Sequence, residues 1–164
     1  MVPGSTRSIV SVGRQLVVAC GNTLRGDDGV AWRIAEAIQK DASLHELRVV
    51  IAHQLTPELA EPISGADTVI FVDCSAISLP GEVSVFPVER ANNTTGSLTH
   101  NVDPSTLLAL SQELFGSLPR RAFAITVGGQ SFELGERLTE LVTLAIPAAV
   151  QAIKGLLKNE SVEV

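Results

Sequence analysis

Residues 16–36 read LVVACGNTLRGDDGVAWRIAE: an apolar run breaks at Gly21, crosses a polar loop bearing two adjacent acids, and resumes as a helix. Leu16 to Cys20 has the composition of a strand buried on both faces. Val30, Ile34, Ala37 and Ile38 recur at helical spacing, which predicts a helix over about 28–40 with Asp27 and Asp28 at its start. A buried strand feeding an amphipathic helix is half of a parallel α/β unit, and open α/β sheets bind ligands beyond the carboxyl ends of their strands. In helical terms Asp27 reads as an N-cap and Asp28 as an acid favoured by the helix dipole. The glycines at 21, 26 and 29 are spaced GxxxxGxxG, not GxGxxG. No Lys follows as a P-loop requires, and paired carboxylates repel phosphate, so nucleotide binding is not predicted.

Downstream, the same alternation continues. Leu47 to Ala52 reads as a second strand, and Pro57 to Ile63 as a short helix that Thr56 would cap. Thr68 to Val72 is a third buried strand ended by Asp73, and Glu82 to Val88 alternates like a half-buried strand after the turn Leu79-Pro80-Gly81. Asp103-Pro104 opens a helix to Phe115, Ala122 to Val127 is the last strand, and a helix follows from about Glu136 to Leu157. This order predicts an α/β fold: a three-layer α/β/α sandwich with a mainly parallel, about five-stranded sheet. The strand over 82–88 follows its predecessor through a short connection and is expected to be antiparallel. Residues 1–14 are read as a flexible N-terminal extension and 15–164 as a single domain.

Composition narrows the function. The 164 residues carry a formal net charge of −6, and the twelve Lys and Arg are scattered except for Arg120 and Arg121, so nucleic acid is not an expected partner. Cys20 and Cys74 end apolar runs and read as reduced, buried small residues of a cytoplasmic protein. The early arginines precede no continuous apolar core, which argues against a signal peptide or anchor. Leu138 to Leu157 contains Glu140, Pro147, Gln151 and Lys154, and reads as a docking helix kinked at Pro147 rather than a membrane span. A monomer is expected.

Three residues stand out as chemistry. Asp73 closes the strand TVIFVD at the edge where this architecture places ligands, whereas Cys74, pointing to the opposite side, reads as packing. His100 lies in the long polar loop of residues 90–102, three positions before Asp103. If the loop returns to the same edge, Asp28, Asp73 and His100 supply two carboxylates and one imidazole, a metal set with open positions. His53 and Gln54 close the second strand on that edge; His53 is a rival ligand, or contacts the ligands or the substrate. His45, in a polar connection, is assigned no function, and Trp32 reads as core or interface. Ser75 lacks the GxSxG elbow and Cys20 lacks a nucleophile motif, so covalent catalysis is not predicted.

These motifs together resemble the hydrogenase maturation proteases, endopeptidases that trim the large-subunit precursor of nickel-iron hydrogenases. GNTLRGDDGV is similar to the family's first signature, TVIFVDCS to its second acid-ended strand, and SLTHNVDPSTLLAL to its histidine loop and helix, with the likeness spanning about residues 15–157. The resemblance implies that Asp28, Asp73 and His100 ligate a metal and carry the cleavage, that Asp27 is a capping acid, and that Gly21 and Asn22 shape the loop. It also implies nickel, brought by the substrate, as the metal, with zinc or another divalent ion able to substitute, and the hydrogenase large-subunit precursor as the partner. Two departures are visible. Ala19 stands where the family often has glycine, and His53-Gln54-Leu55 replaces a glycine-rich turn, which directs attention to substrate contacts there. A non-cleaving, metal-dependent chaperone or docking module for the precursor is the alternative.

Overall fold

Apolar residues that alternate along three central strands divide between two cores, one on each side of a single sheet. The computed structural model describes residues 14–92 and 102–160. Its strands are β1 (Gln15–Cys20), β2 (Arg48–Ala52), β3 (Thr68–Ser75), β4 (Val83–Pro87) and β5 (Arg121–Gly128), and its helices α1 (Val30–Gln39), α2 (Ala60–Ser64), α3 (Pro104–Phe115) and α4 (Glu140–Glu160). Strand order is β2-β1-β3-β5-β4. All neighbours run parallel except β4, which pairs antiparallel with β5. Val17, Ala19, Ile70, Val72, Ile125 and Val127 pack with α1 and α4. Leu16, Val18, Val69, Phe71, Ala122 and Ala124 face α2 and α3. The three-layer sandwich is therefore the expected one. Each fully buried aliphatic side chain, such as Ile34, Ile70, Ile125 or Ile153, stabilises it by roughly 2–3 kcal/mol.

Several boundaries differ from expectation for identifiable reasons. β3 continues past Asp73 because Asp73, Cys74 and Ser75 pair in register with Thr126, Val127 and Gly128. α1 begins at Val30, and the preceding residues Gly26–Gly29 form a 3-10 turn. α4 starts only at Glu140, because residues 130–139 are drawn into contacts with the first loop. It runs through Pro147 as one helix. The stretch Glu140–Lys158 is long and apolar enough to cross a membrane by length and composition, at mean hydropathy 1.5. Its Val142, Ala145, Ala149, Val150, Ile153 and Leu157 are nonetheless buried in the core. Arg14, expected in the extension, is tied to the sheet: its N–H donates to Asp67 Oδ2 at 3.0 Å and its carbonyl accepts from Asp67 N at 2.8 Å. Residues 1–13 of that extension lie outside the described residues. Thr56 occupies the N-cap position before Pro57 without a side-chain capping hydrogen bond.

The strand order also fixes where a ligand can sit. The chain leaves β1 for β2 on one side and returns past it to β3 on the other, so connections diverge between β1 and β3. Diverging connections open a crevice at the carboxyl ends of those two strands.

Candidate active site

Two loops meet at that crevice, and both owe their shape to local chemistry. After β1, Gly21 approaches the Asp28 carbonyl so closely that an added Cβ would lie 2.0 Å from its oxygen. Only glycine fits there. Asn22 N–H then donates to Asp28 Oδ2 at 2.8 Å, while Asn22 Oδ1 accepts from Leu24 N at 2.9 Å, an Asx turn that holds the loop. Trp32, half-buried on α1, donates its indole N–H to the Gly21 carbonyl at 2.8 Å. Its ring stands 5.0 Å from that of His53, tilted by 43°.

Asp28 is half-buried and faces the crevice with one carboxylate oxygen held by Asn22; among the described residues the other oxygen has no hydrogen-bond partner. Asp73 enters from the end of β3, on the α2/α3 side of the sheet, and its Oδ1 accepts from the Cys74 N–H at 2.7 Å. Loss of hydration among the packed strand ends pushes its carboxyl up to about 6. The Cys74 N–H opposes that rise, and the nearby Asp28 carboxylate adds to it. The charge of Asp28 thus reaches Asp73. The same surroundings raise the Cys20 thiol to about 11, through desolvation first and then the charges of Asp73 and Asp28, and the Cys74 thiol to about 12 for the same reasons. Both cysteines are free, and they are half-buried where the sequence reading expects buried residues.

Asp27 overturns its expected role. It caps no helix; the residues at the N-cap positions of the 3-10 turn and of α1 are Arg25 and Gly29, neither with a side-chain cap. Its side chain is wholly buried, with Oδ2 accepting from Gln130 N (2.8 Å), Ser131 N (2.9 Å) and Thr139 Oγ1 (2.8 Å) and Oδ1 from Thr139 N (2.7 Å). Burial by itself would favour the protonated acid, but the hydrogen bonds from Ser131, Thr139 and Gln130 outweigh it and hold the carboxyl below its ordinary value.

Of the remaining predicted residues, His53 and Gln54 are exposed at the end of β2. His53 turns its ring to Trp32 while its carbonyl accepts a weak bond from Cys20 Sγ at 3.7 Å. His100 lies outside the described residues. Asp103, three positions on, caps α3 as expected through Thr106 N at 2.8 Å. Among the described residues no group of three or more His, Cys, Asp or Glu stands together as a metal site. Asp28 and Asp73 contribute carboxylate oxygens, the donor type that hard divalent ions take.

Beside Asp73 a cleft of about 320 Å³ opens between the sheet and the start of α3, floored by Val18, Phe71 and Ala124 and walled by Leu55 and Phe86. Cys20 and Thr126 join Asp73 at its edge. Sequence reading missed this lining, since single apolar residues from separate strands carry no motif. A larger hollow of about 550 Å³ beside Arg14, Arg48 and Glu61 lies at the opposite strand ends and contains none of the predicted site residues.

The model of the hydrogenase maturation protease family matches residues 32–156, which include Asp73 and begin just after the Gly21–Asp28 loop. Among solved structures, the chain is similar to the hydrogenase maturating endopeptidase HybD from E. coli, at 21% identity and a TM-score of 0.69 over 89% of this chain and 93% of that one. It is similar to the hydrogenase 2 maturation peptidase from a Thaumarchaeota archaeon, at 25% identity and a TM-score of 0.65 over 88% and 97%. The [NiFe] hydrogenase maturation protease HycI from Thermococcus kodakarensis shares 22% identity and a TM-score of 0.64 over 92% and 97%. A comparison with curated proteins gives no match.

Proposed function

The chain belongs to the hydrogenase maturation protease family, and from that premise we propose that it is the endopeptidase that removes a C-terminal peptide from the nickel-loaded large-subunit precursor of a nickel-iron hydrogenase. The observation that carries the reading is the meeting of Asp28 and Asp73 at the crevice between β1 and β3, close enough for one carboxylate to raise the proton affinity of the other. Asp28, Asp73 and His100 engage the nickel that the precursor brings, and zinc or another divalent ion can take its place. Such an ion supplies Lewis acidity when present. The chain's own contribution is orientation: Asn22 N–H fixes Asp28, and the Cys74 N–H fixes Asp73. The cleft beside Asp73 has room for an extended segment of the precursor, with His53 and Gln54 within reach at the end of β2. The protein acts as a cytoplasmic monomer.

Nickel-loaded precursor incubated with wild-type protein is expected to lose a C-terminal peptide, read by mass spectrometry, and to remain intact with folded Asp28→Asn or His100→Ala. Wild-type rates in both variants would overturn the reading. A precursor that binds the wild-type chain without any loss of mass would mark a docking module instead.

A further inference from the structure

Among the described residues, the most heavily hydrogen-bonded buried acid is Asp27, next to a site residue but turned away from the site. Its side chain has 0% exposure, so it meets neither solvent nor substrate. Both its oxygens accept hydrogen bonds, three at Oδ2 and one at Oδ1, from donors of Gln130, Ser131 and Thr139, more than a hundred residues away in the chain. Backbone bonds reinforce the same junction: Asp27 N–H donates to the Ser131 carbonyl at 2.9 Å, Gly26 N–H to the Gly135 carbonyl at 2.8 Å, and Gly135 N–H to the Leu24 carbonyl at 2.8 Å. Gly26, at φ +55°, allows the turn to press against this loop, since a Cβ there would stand 2.7 Å from the Ser131 oxygen.

We infer that Asp27 is a positioning residue for the cleavage reaction: with the loop 130–139 it clamps the 3-10 turn from below, and so aims the neighbouring Asp28 at the crevice. Asp27 and Asp28 are consecutive in the short turn Gly26–Gly29, so locking the backbone and side chain of one sets the direction of the other. A carboxylate suits this position because all four partners are donors; an amide would turn its NH2 against at least one of them. Residues that hold a ligating side chain in place typically change metal affinity or activity by about 10–100-fold when altered. The inference rests on Asp28 being a working residue of the proposed site.

The test uses the full chain with Asp27→Asn, Asp28→Asn, Thr139→Val and Thr139→Ser. Three readouts are needed: kcat and KM on nickel-loaded precursor, Ni²⁺ titration of the free protein, and hydrogen exchange of the Asn22 amide, whose bond to Asp28 reports the aim of that side chain. In Asp27→Asn we expect kcat and Ni²⁺ affinity to fall by about 10–100-fold with KM unchanged, and Asn22 to lose protection while amides of the central strands keep theirs. If Asp27→Asn does not fold, Thr139→Val, which removes one of the four bonds, is expected to move the same quantities by a smaller factor, and Thr139→Ser to restore them. Unchanged kcat and Asn22 protection in folded Asp27→Asn, or in Thr139→Val, would overturn the inference. Wild-type cleavage by both Asp28→Asn and His100→Ala would overturn the functional reading itself, and the Asn22 signal would then decide the clamp alone.

Discussion

Asp27 and Asp73 end up at the same end of the sheet with opposite surroundings. Asp27 is sealed in and fully hydrogen-bonded, and its carboxyl titrates below the ordinary range. Asp73 is an exposed residue whose carboxyl sits against desolvating strand ends with one N–H to oppose them, and it titrates near 6. The first stabilises the fold as an anion; the second is strained as one. One acid holds the shape of a loop through its hydrogen bonds, whereas the other keeps the undersatisfied, shifted carboxyl that functional sites often carry.

Gly21→Ala attacks the junction between the two regions most directly, because the new methyl would overlap the Asp28 carbonyl. Loss of about 3 kcal/mol or more is expected in denaturant unfolding, with loss of cleavage, since overpacking against backbone has no side chain to yield. A variant with the wild-type midpoint would show that the loop is looser than its geometry.

Asp73→Asn separates function from stability. Cleavage should disappear while the free protein gains about 2 °C in Tm at pH 7, an effect kept small by the exposure of the residue. The sign follows from linkage: a carboxyl raised in the folded state contributes stability that is fully present below about pH 4, its unfolded value, and is lost as pH rises through about 6. The advantage of Asn should therefore fade as pH falls from 7 towards 4. For Asp27, with its lowered carboxyl, the contribution is present above about pH 4 and lost on acidification, so Asp27→Asn should flatten the acid limb of stability instead. A fall in Tm for Asp73→Asn at pH 7 would erase the contrast.

Trp32→Phe probes the smallest effect. It keeps a ring beside His53 but removes the donor to the Gly21 carbonyl, and about 1 kcal/mol should be lost in chemical unfolding, with cleavage retained at a reduced rate. No change in either would mean that the indole only fills space.

Much of this was legible without coordinates. The apolar runs of β1, β3 and β5 and the short connection before β4 predict the order of layers and the one antiparallel strand, because burial on both faces and connection length act locally. Asp73 was singled out by its place after an apolar run, although β3 continues to Ser75. Trp32, read as core or interface, proved to buttress the signature loop, and Cys20 and Thr126 proved to border the cleft. None of these carries a pattern, since their roles arise from neighbours contributed by other strands.

The sequence by itself determined the fold class and its one antiparallel strand, because both follow from hydrophobic period and connection length, while the Gly21-Asn22 turn was legible through the family resemblance. Only the tertiary structure decided that Asp27 is a buried acceptor and not the helix cap that the resemblance implied. As an isolated helix start, Asp27 looks like an N-cap and Asp28 like an acid favoured by the helix dipole. Which one turns inward depends on donors from residues 130–139, and a contact across more than a hundred residues leaves no periodic trace in the chain.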